Sequence, residues 1–133
     1  MIFSIVIPTY NRKTVLEKCL ASVNSLEFPK NDYEVIVVDD GSTDGTRELL
    51  TGLGRENFHV FSRNHGGPAK ARNYGAENAS GTYIAFTDDD CLVPKEWLIR
   101  LREGLDKWPQ AGAVGGYLEA PPEIISKKIA AKL

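Results

Sequence analysis

Short runs of apolar, often β-branched residues alternate along the chain with longer segments in which apolar residues recur at helical spacing. Runs of this length between turn residues are typical of strands buried on both faces. Four strands are predicted, at Ile2–Ile7, Glu34–Val38, Phe58–Phe61 and Thr82–Thr87, and a fifth candidate is Ala113–Leu118. Pro8 is expected to end the first strand, because proline lacks the amide hydrogen that a sheet requires.

Helical patterns fill the intervals between these runs. From Val15 to Leu26 the apolar residues return every three or four positions, which is the spacing of one helix face. The predicted helices are Arg12–Leu26, Thr43–Leu53, Gly66–Asn78 and Pro94–Trp108. Strands that alternate with helices in this order predict an α/β fold, with a mostly parallel, Rossmann-like sheet flanked by helices on both faces.

The length of the chain bounds the number of domains. Its 133 residues are enough for one hydrophobic core and too few for a second domain. Residues 1–119 are expected to form the α/β part, and residues 120–133 a separate tail. Isoleucines and lysines in the tail follow a basic amphipathic pattern. This pattern favours packing on the same protein and leaves contact with a membrane surface as the alternative.

Composition and charge narrow the class of function. A formal net charge of -2 provides no broad basic surface, so nucleic acid is not an expected partner. No run approaches the roughly 18 apolar residues that would span a bilayer. Cys19 and Cys91 lie far apart and lack the spacing of a metal motif, which indicates reduced thiols in a cytoplasmic protein. Through the basic tail, association with the cytoplasmic face of a membrane stays open.

Polar signatures follow three of the predicted strands, at the edge where open parallel sheets bind ligands. They are Pro8–Arg12, Asp39–Asp44 and Asp88–Asp90. Asn, Asp, Gly and Ser are also common turn and cap residues, so a turn explains each signature equally well on its own. Three signatures at one edge of one sheet favour a binding site.

Three adjacent carboxylates make Asp88–Asp90 the sharpest of these signatures. Each pair repels by about 1 kcal/mol at 4 Å in water, and by more at lower effective dielectric. A cation is expected to compensate, and oxygen ligands select Mg²⁺ or Mn²⁺, which are commonly shared with phosphates. Asp88 and Asp90 lie two positions apart and can point to the same side. The alternative is a solvated acidic turn that caps the next helix.

The remaining signatures suggest parts of a nucleotide site. A carboxylate of the Asp39–Asp40 pair could accept a hydrogen bond from a nucleobase or a ribose, and the ring of Tyr10 could stack on a base. Lys70 and Arg72, on the predicted third helix, could meet phosphate charge. The alternatives are a core position for Tyr10 and a solvated helix face for the two basic residues. His65, in the loop before this helix, is taken as a bystander.

Taken in order, these motifs resemble the family 2 glycosyltransferases, which have the GT-A fold. The resemblance covers roughly residues 2–119 and rests on four segments, Ile5–Asn11, Val37–Asp44, Gly67–Gly75 and Gly81–Asp90. It implies inverting transfer of a sugar from a nucleoside-diphosphate sugar, with UDP favoured, to a saccharide or lipid-linked acceptor. A divalent cation, Mn²⁺ or Mg²⁺, is the implied cofactor.

Matching positions imply a nucleobase end of the donor site. Pro8, Thr9 and Tyr10 would border the base, and Asp40 would accept the hydrogen of its imide group.

The resemblance also implies a phosphate end. Arg72 falls in the segment that faces the donor phosphates. Asp90 would bind the metal, and Asp88 would contact the ribose or metal-bound water and share in metal binding. Asp89 is counted among the donor-binding residues.

One part of the family pattern is missing. The general base that deprotonates the acceptor is expected beyond Leu133, so no catalytic residue is assigned within the chain. The resemblance thus implies the donor-binding half of a longer enzyme. A metal-dependent nucleotide-binding fragment without turnover is the alternative function.

Overall fold

The structure is a computed structural model and describes residues 1–116. In this part of the chain four parallel strands form one sheet. They are β1 Phe3–Thr9, β2 Tyr33–Asp39, β3 Phe58–Ser62 and β4 Tyr83–Phe86. Their spatial order is β3-β2-β1-β4, so β1 and β2 are central, and both are buried along their whole length. The predicted α/β fold with a parallel sheet is confirmed.

Four helices connect and follow the strands. They are α1 Lys13–Asn24, α2 Thr46–Thr51, α3 Pro68–Glu77 and α4 Trp97–Lys107, and a 3₁₀ turn at Lys30–Asp32 precedes β2. None of the described helices has the length and apolar character needed to cross a membrane.

By its internal contacts the chain divides into two compact units, Met1–Arg100 and Leu101–Leu133. The first contains the whole sheet. In the second, the described residues 101–116 comprise the end of α4 and a segment without regular structure. Arg102 Nε there lies 3.0 Å from a carboxylate oxygen of Asp106.

Pro8 was expected to end the first strand, but β1 continues to Thr9. Peptide groups along a parallel strand face its two neighbours alternately. The carbonyl of Thr9 faces β2, where it accepts from the Asp40 amide at 2.9 Å, and the carbonyl of Val6 faces β4. Pro8 therefore faces the β4 side as well, beyond Phe86, where β4 has ended. Because none of the described strands is paired with Pro8 on that side, its missing amide hydrogen removes no hydrogen bond from the sheet.

Most other predicted bounds are shifted by one to three residues; α4, for example, begins at Trp97 rather than Pro94. Helix α2 begins at Thr46 rather than Thr43, because the Asp44 carboxylate accepts from the Thr46 amide at 3.1 Å and its hydroxyl at 2.5 Å, forming a turn instead. Within the predicted fifth strand, residues 113–116 have no strand structure. The remainder of that prediction, the tail and the predicted domain boundary at residue 119 lie outside the described residues.

Helix α3 packs closely on the two central strands. Its Ala71 joins Val6, Ile36 and Val38 in a fully buried apolar cluster. A Cβ atom placed on Gly75 would lie 2.5 Å from Val6 Cγ1 and 3.2 Å from Val38 Cγ2. A glycine at this position therefore sets how near α3 comes to the sheet.

A buried carboxylate ties the sheet together at the opposite end from the polar signatures. Glu34 Oε1 accepts from the Ser4 hydroxyl at 2.5 Å and from the amide and hydroxyl of Ser80, both at 2.7 Å. His59 Nε2 lies 3.2 Å from Glu34 Oε2. Burial opposes ionisation, but these hydrogen bonds and the charge of His59 outweigh it and hold the pKa of Glu34 below its ordinary value.

Replacing Gly75 by alanine is expected to destabilise the fold. Overpacking against Val6 costs about 1–3 kcal/mol, which outweighs a gain in helix propensity of at most about 1 kcal/mol. Urea unfolding measures the change. Gly52→Ala, where a Cβ would make only ordinary contacts, is the control and is expected to stay within about 0.5 kcal/mol of wild type. Equal stability of both variants would contradict the close packing of α3.

Replacing Glu34 by glutamine is expected to lower the free energy of unfolding by about 1–3 kcal/mol at neutral pH. Because the folded-state pKa is depressed, this contribution is present above the unfolded-state pKa and is lost as pH falls through the folded-state value. The difference between wild type and Glu34→Gln should therefore shrink in acid. Urea unfolding at neutral and acid pH tests this, with Glu77→Gln on the exposed side of α3 as the control.

Candidate functional site

The carboxyl ends of β1, β2 and β4 surround a cleft of about 390 Å³. Its lining contains all eight residues predicted as donor- or metal-binding, together with four others, and consists of Pro8, Thr9, Tyr10, Arg12, Asp40, His65, Pro68, Ala71, Arg72, Asp88, Asp89 and Asp90. Lys70, predicted alongside Arg72, is not among the lining residues. Parallel strands bring their ends to one edge, so distant signatures meet here.

A larger cavity, about 470 Å³, lies near the start of β2. Aliphatic and aromatic side chains such as Leu20, Leu53 and Phe58 make up much of its lining. None of the predicted site residues lines it. The cleft at the carboxyl edge is therefore the better candidate for chemistry, although it is the smaller of the two.

Arginine side chains balance the acidic triplet at the end of β4. Arg72 Nη2 makes a short ion pair with Asp88 Oδ1. Arg12 Nη1 lies 3.2 Å from both Asp89 Oδ1 and Asp90 Oδ2, and those two charges raise the pKa of Arg12. The repulsion that predicted a metal is thus already relieved by protein cations. Arg12 was not identified as a site residue, although it is the last residue of the first signature.

The three aspartates of the triplet differ in exposure. The side chains of Asp88 and Asp90 are 50% and 53% exposed, whereas that of Asp89 is 7% exposed. Asp89 Oδ2 accepts from the Thr9 hydroxyl at 2.8 Å, which ties the turn to the end of β1. As the alternation predicts, the outer two aspartates are open to the solvent and the middle one is buried.

Asp88, Asp90 and Cys91 each offer a ligand atom, and these atoms lie within 4.8 Å of one another. Half-exposed carboxylates suit a hard divalent cation such as Mn²⁺ or Mg²⁺. The implied cofactor therefore fits the donor set. The Cys91 thiol adds a softer donor that spacing in the sequence did not reveal.

The other cysteine lies beneath this turn. Cys19 Sγ is 3.5 Å from the carbonyl oxygen of Asp88. Burial, with smaller effects of Cys91 and the aspartates, raises the pKa of Cys19 to about 12. Cys19 is thus an uncharged thiol at neutral pH, as expected for a buried structural cysteine.

Tyr10 and His65 form the other end of the cleft. Their rings stack with centroids 4.0 Å apart and an interplanar angle of 24°. Tyr10 is 41% exposed, so the predicted alternative of a core tyrosine is wrong. His65, taken as a bystander from the sequence, belongs to the site because the fold stacks it on Tyr10, a contact that no sequence spacing signals.

Asp40 organises the loop before α3. Its carboxylate is almost fully buried and accepts from the amides of Gly66 at 3.1 Å and Gly67 at 2.8 Å. Ring nitrogen Nδ1 of His65 lies 3.0 Å from Asp40 Oδ2, and Arg63 Nε lies 3.5 Å from Oδ1. These contacts fix both the loop and the His65 ring relative to β2.

Side-chain hydrogen bonds join the loops that follow β1 and β2. Asn11 Oδ1 accepts from the backbone amide of Thr43 at 2.7 Å, and the backbone amide of Asn11 donates to Ser42 Oγ at 2.9 Å. Asp44 accepts from the Lys13 amide at 3.0 Å, and Asn11 has a positive φ of 50°. The first two signatures therefore have a structural role, since their turns are hydrogen-bonded to each other. Residues of both signatures also line the cleft.

A family profile described as Glycosyl transferase family 2 matches residues 4–129. Glycosyltransferase AglE of Haloferax volcanii is 41% identical over 100 residues, which cover 73% of this chain and 33% of AglE.

Solved structures show the same relationship. Staphylococcus aureus TarS 1-349 in complex with UDP-GlcNAc superimposes with a TM-score of 0.74 at 36% identity, covering 80% of this chain and 32% of TarS 1-349. The mannosyltransferase PcManGT of Pyrobaculum calidifontis in complex with GDP-Man and Mn²⁺ superimposes with a TM-score of 0.71 at 28% identity, over 77% of this chain and 32% of PcManGT.

The chain thus spans about a third of the length of these relatives. The match to the family profile nevertheless extends over most of the chain, and the sheet reproduces the GT-A fold of TarS. The chain belongs to glycosyl transferase family 2.

Proposed function

We propose that the cleft binds a nucleoside-diphosphate sugar, with UDP as the favoured nucleotide, and that the chain serves inverting transfer of the sugar to a saccharide or lipid-linked acceptor. The observation that carries this proposal is the convergence of an aromatic pair and an acidic turn on one cleft. Relatives solved with UDP-GlcNAc and with GDP-Man support a nucleotide sugar as the donor.

At the nucleobase end, the exposed ring of Tyr10 provides a stacking surface bordered by Pro8 and Thr9. Asp40 reads the imide group of the base, and its hydrogen bonds to the loop before α3 hold it in place for that role. The His65 ring, held by Asp40, completes the wall of the base site.

At the phosphate end, Arg72 meets the donor's diphosphate, since a guanidinium matches phosphate oxygens as a fork. Asp90 and Asp88 would hold a divalent cation, Mn²⁺ or Mg²⁺, and Asp88 would also contact the ribose or metal-bound water. When bound, the cation neutralises charge that develops on the leaving diphosphate. Asp89 serves the donor site by holding Thr9 and Arg12 in position.

UDP with Mn²⁺ is expected to raise the melting temperature of the chain. Ligand at a hundredfold excess over its Kd adds about 2.7 kcal/mol, which corresponds to several degrees. Differential scanning fluorimetry against UDP, GDP, CDP and ADP, each with and without Mn²⁺, measures the effect. Asp90→Asn should abolish the metal-dependent part, whereas Asp106→Asn, a similarly exposed ion-paired aspartate outside the cleft, should retain it.

No shift with any nucleotide, for folded protein, would refute the donor site. A separate assay follows release of UDP from a UDP-sugar. Binding without release would favour the nucleotide-binding fragment over a working transferase.

The same chemical change at adjacent aspartates is expected to affect stability differently. Asp89→Asn should lower the free energy of unfolding by about 1–3 kcal/mol, because it weakens a buried contact to Thr9 and Arg12. Asp90→Asn, at a half-exposed position, should stay within about 0.5 kcal/mol of wild type. Urea unfolding distinguishes the two, and an unchanged Asp89→Asn variant would mean that this contact does not hold the turn.

A further inference from the structure

Arg12 contacts one of the two carboxylates proposed to hold a divalent cation. Its Nη1 atom lies 3.2 Å from Asp90 Oδ2 and equally far from Asp89 Oδ1. Asp90 is the proposed metal ligand. A guanidinium and a metal ion at the same carboxylate repel each other, so the two cations compete for Asp90.

The charge balance of the turn gives this competition a direction. Three aspartates paired with Arg12 and Arg72 leave about one negative charge without metal. A divalent cation reverses that sign and leaves the turn with one excess positive charge. Two arginines and a metal together therefore suit a ligand that brings several negative charges, as a diphosphate does.

The backbone of Arg12 is fixed while its side chain is free to move from one ion-pair partner to another. Its backbone carbonyl is fixed at the start of α1, where it accepts from the Leu16 amide at 2.9 Å. Its side chain is 53% exposed, and the guanidinium contacts one buried and one half-exposed carboxylate. A long flexible side chain on a fixed backbone can leave Asp90 without any movement of the fold.

We propose that Arg12 is a second diphosphate-binding residue that serves as the counter-ion of Asp90 until the metal arrives. Once the cation binds Asp90, the guanidinium moves to the donor's diphosphate as a positioning group. Asp89, which also contacts Nη1 of Arg12, keeps the guanidinium at the edge of the cleft. This inference rests on the proposed donor site and adds Arg12 to it.

Metal and nucleotide binding must then be coupled. Metal alone has to displace Arg12, whereas metal with a diphosphate gives the displaced guanidinium a new partner. Coupling is reciprocal, so the factor by which Mn²⁺ tightens UDP binding equals the factor by which UDP tightens Mn²⁺ binding.

Arg12→Gln tests the proposal, with Arg47→Gln as the matched control. Arg47 lies exposed on α2, outside the cleft lining, and loses the same charge. Electron paramagnetic resonance of free Mn²⁺ measures metal binding without nucleotide, and calorimetry measures UDP binding in Mn²⁺. Arg12→Gln should bind Mn²⁺ about threefold to tenfold more tightly, since a competing cation is gone. It should bind UDP about tenfold more weakly, since a charge-assisted contact to phosphate is lost.

These opposite signs separate the proposal from a merely structural role, which would weaken both affinities. Arg12→Lys, which keeps the charge without the fork, should bind Mn²⁺ like wild type and UDP with intermediate affinity. Unchanged or weaker Mn²⁺ binding by Arg12→Gln, or unchanged UDP binding, would overturn the role of Arg12 alone. UDP binding that Mn²⁺ does not strengthen would overturn this inference alone. Absence of UDP binding by the wild-type chain, with or without Mn²⁺, would overturn the donor site and, with it, this inference.

Discussion

Like charges at the ends of buried strands are the constraint on which this cleft depends. β1 and β2 are buried along their whole length, so their polar residues can meet solvent only where the strands end. The acidic turn after β4 meets that edge, and its repulsion must be balanced nearby. Arg12 from the β1 side and Arg72 from α3 supply the balance. Ion pairs thus link three separate parts of the chain at the edge where the parallel strands end.

The fold was predictable because its signals are local. Apolar runs, helical periodicity and the order of elements suffice for a parallel α/β sheet. The end of β1 was predicted wrongly at Pro8 because the sequence does not show which strands lie beside it in the folded sheet. Whether a missing amide hydrogen matters depends on whether another strand lies opposite, and the pairing of β1 with β4 ends two positions before Pro8, at Val6 and Phe86.

The candidate site was predictable only in part, for the same reason. Asp88 and Asp90 could be grouped from their alternation, and three signatures at strand ends implied a shared edge. Arg12 was not singled out and His65 was set aside as a bystander, because what brings them into the site is contacts across the fold. These are an ion pair with residues more than 70 positions away and a ring stacked on Tyr10. Residue type alone does not distinguish an arginine that balances a turn from one that faces solvent.

The close approach of α3 to β1 at Gly75 has a consequence for reading variants of this protein. Arg72 lies one turn earlier on the same helix, so any change that pushes the helix away from the sheet also moves the guanidinium away from Asp88. A substitution on the buried face of α3 would then be observed as weaker ligand binding. A screen that scores binding would count Gly75 as a contact residue, although it touches nothing but the core.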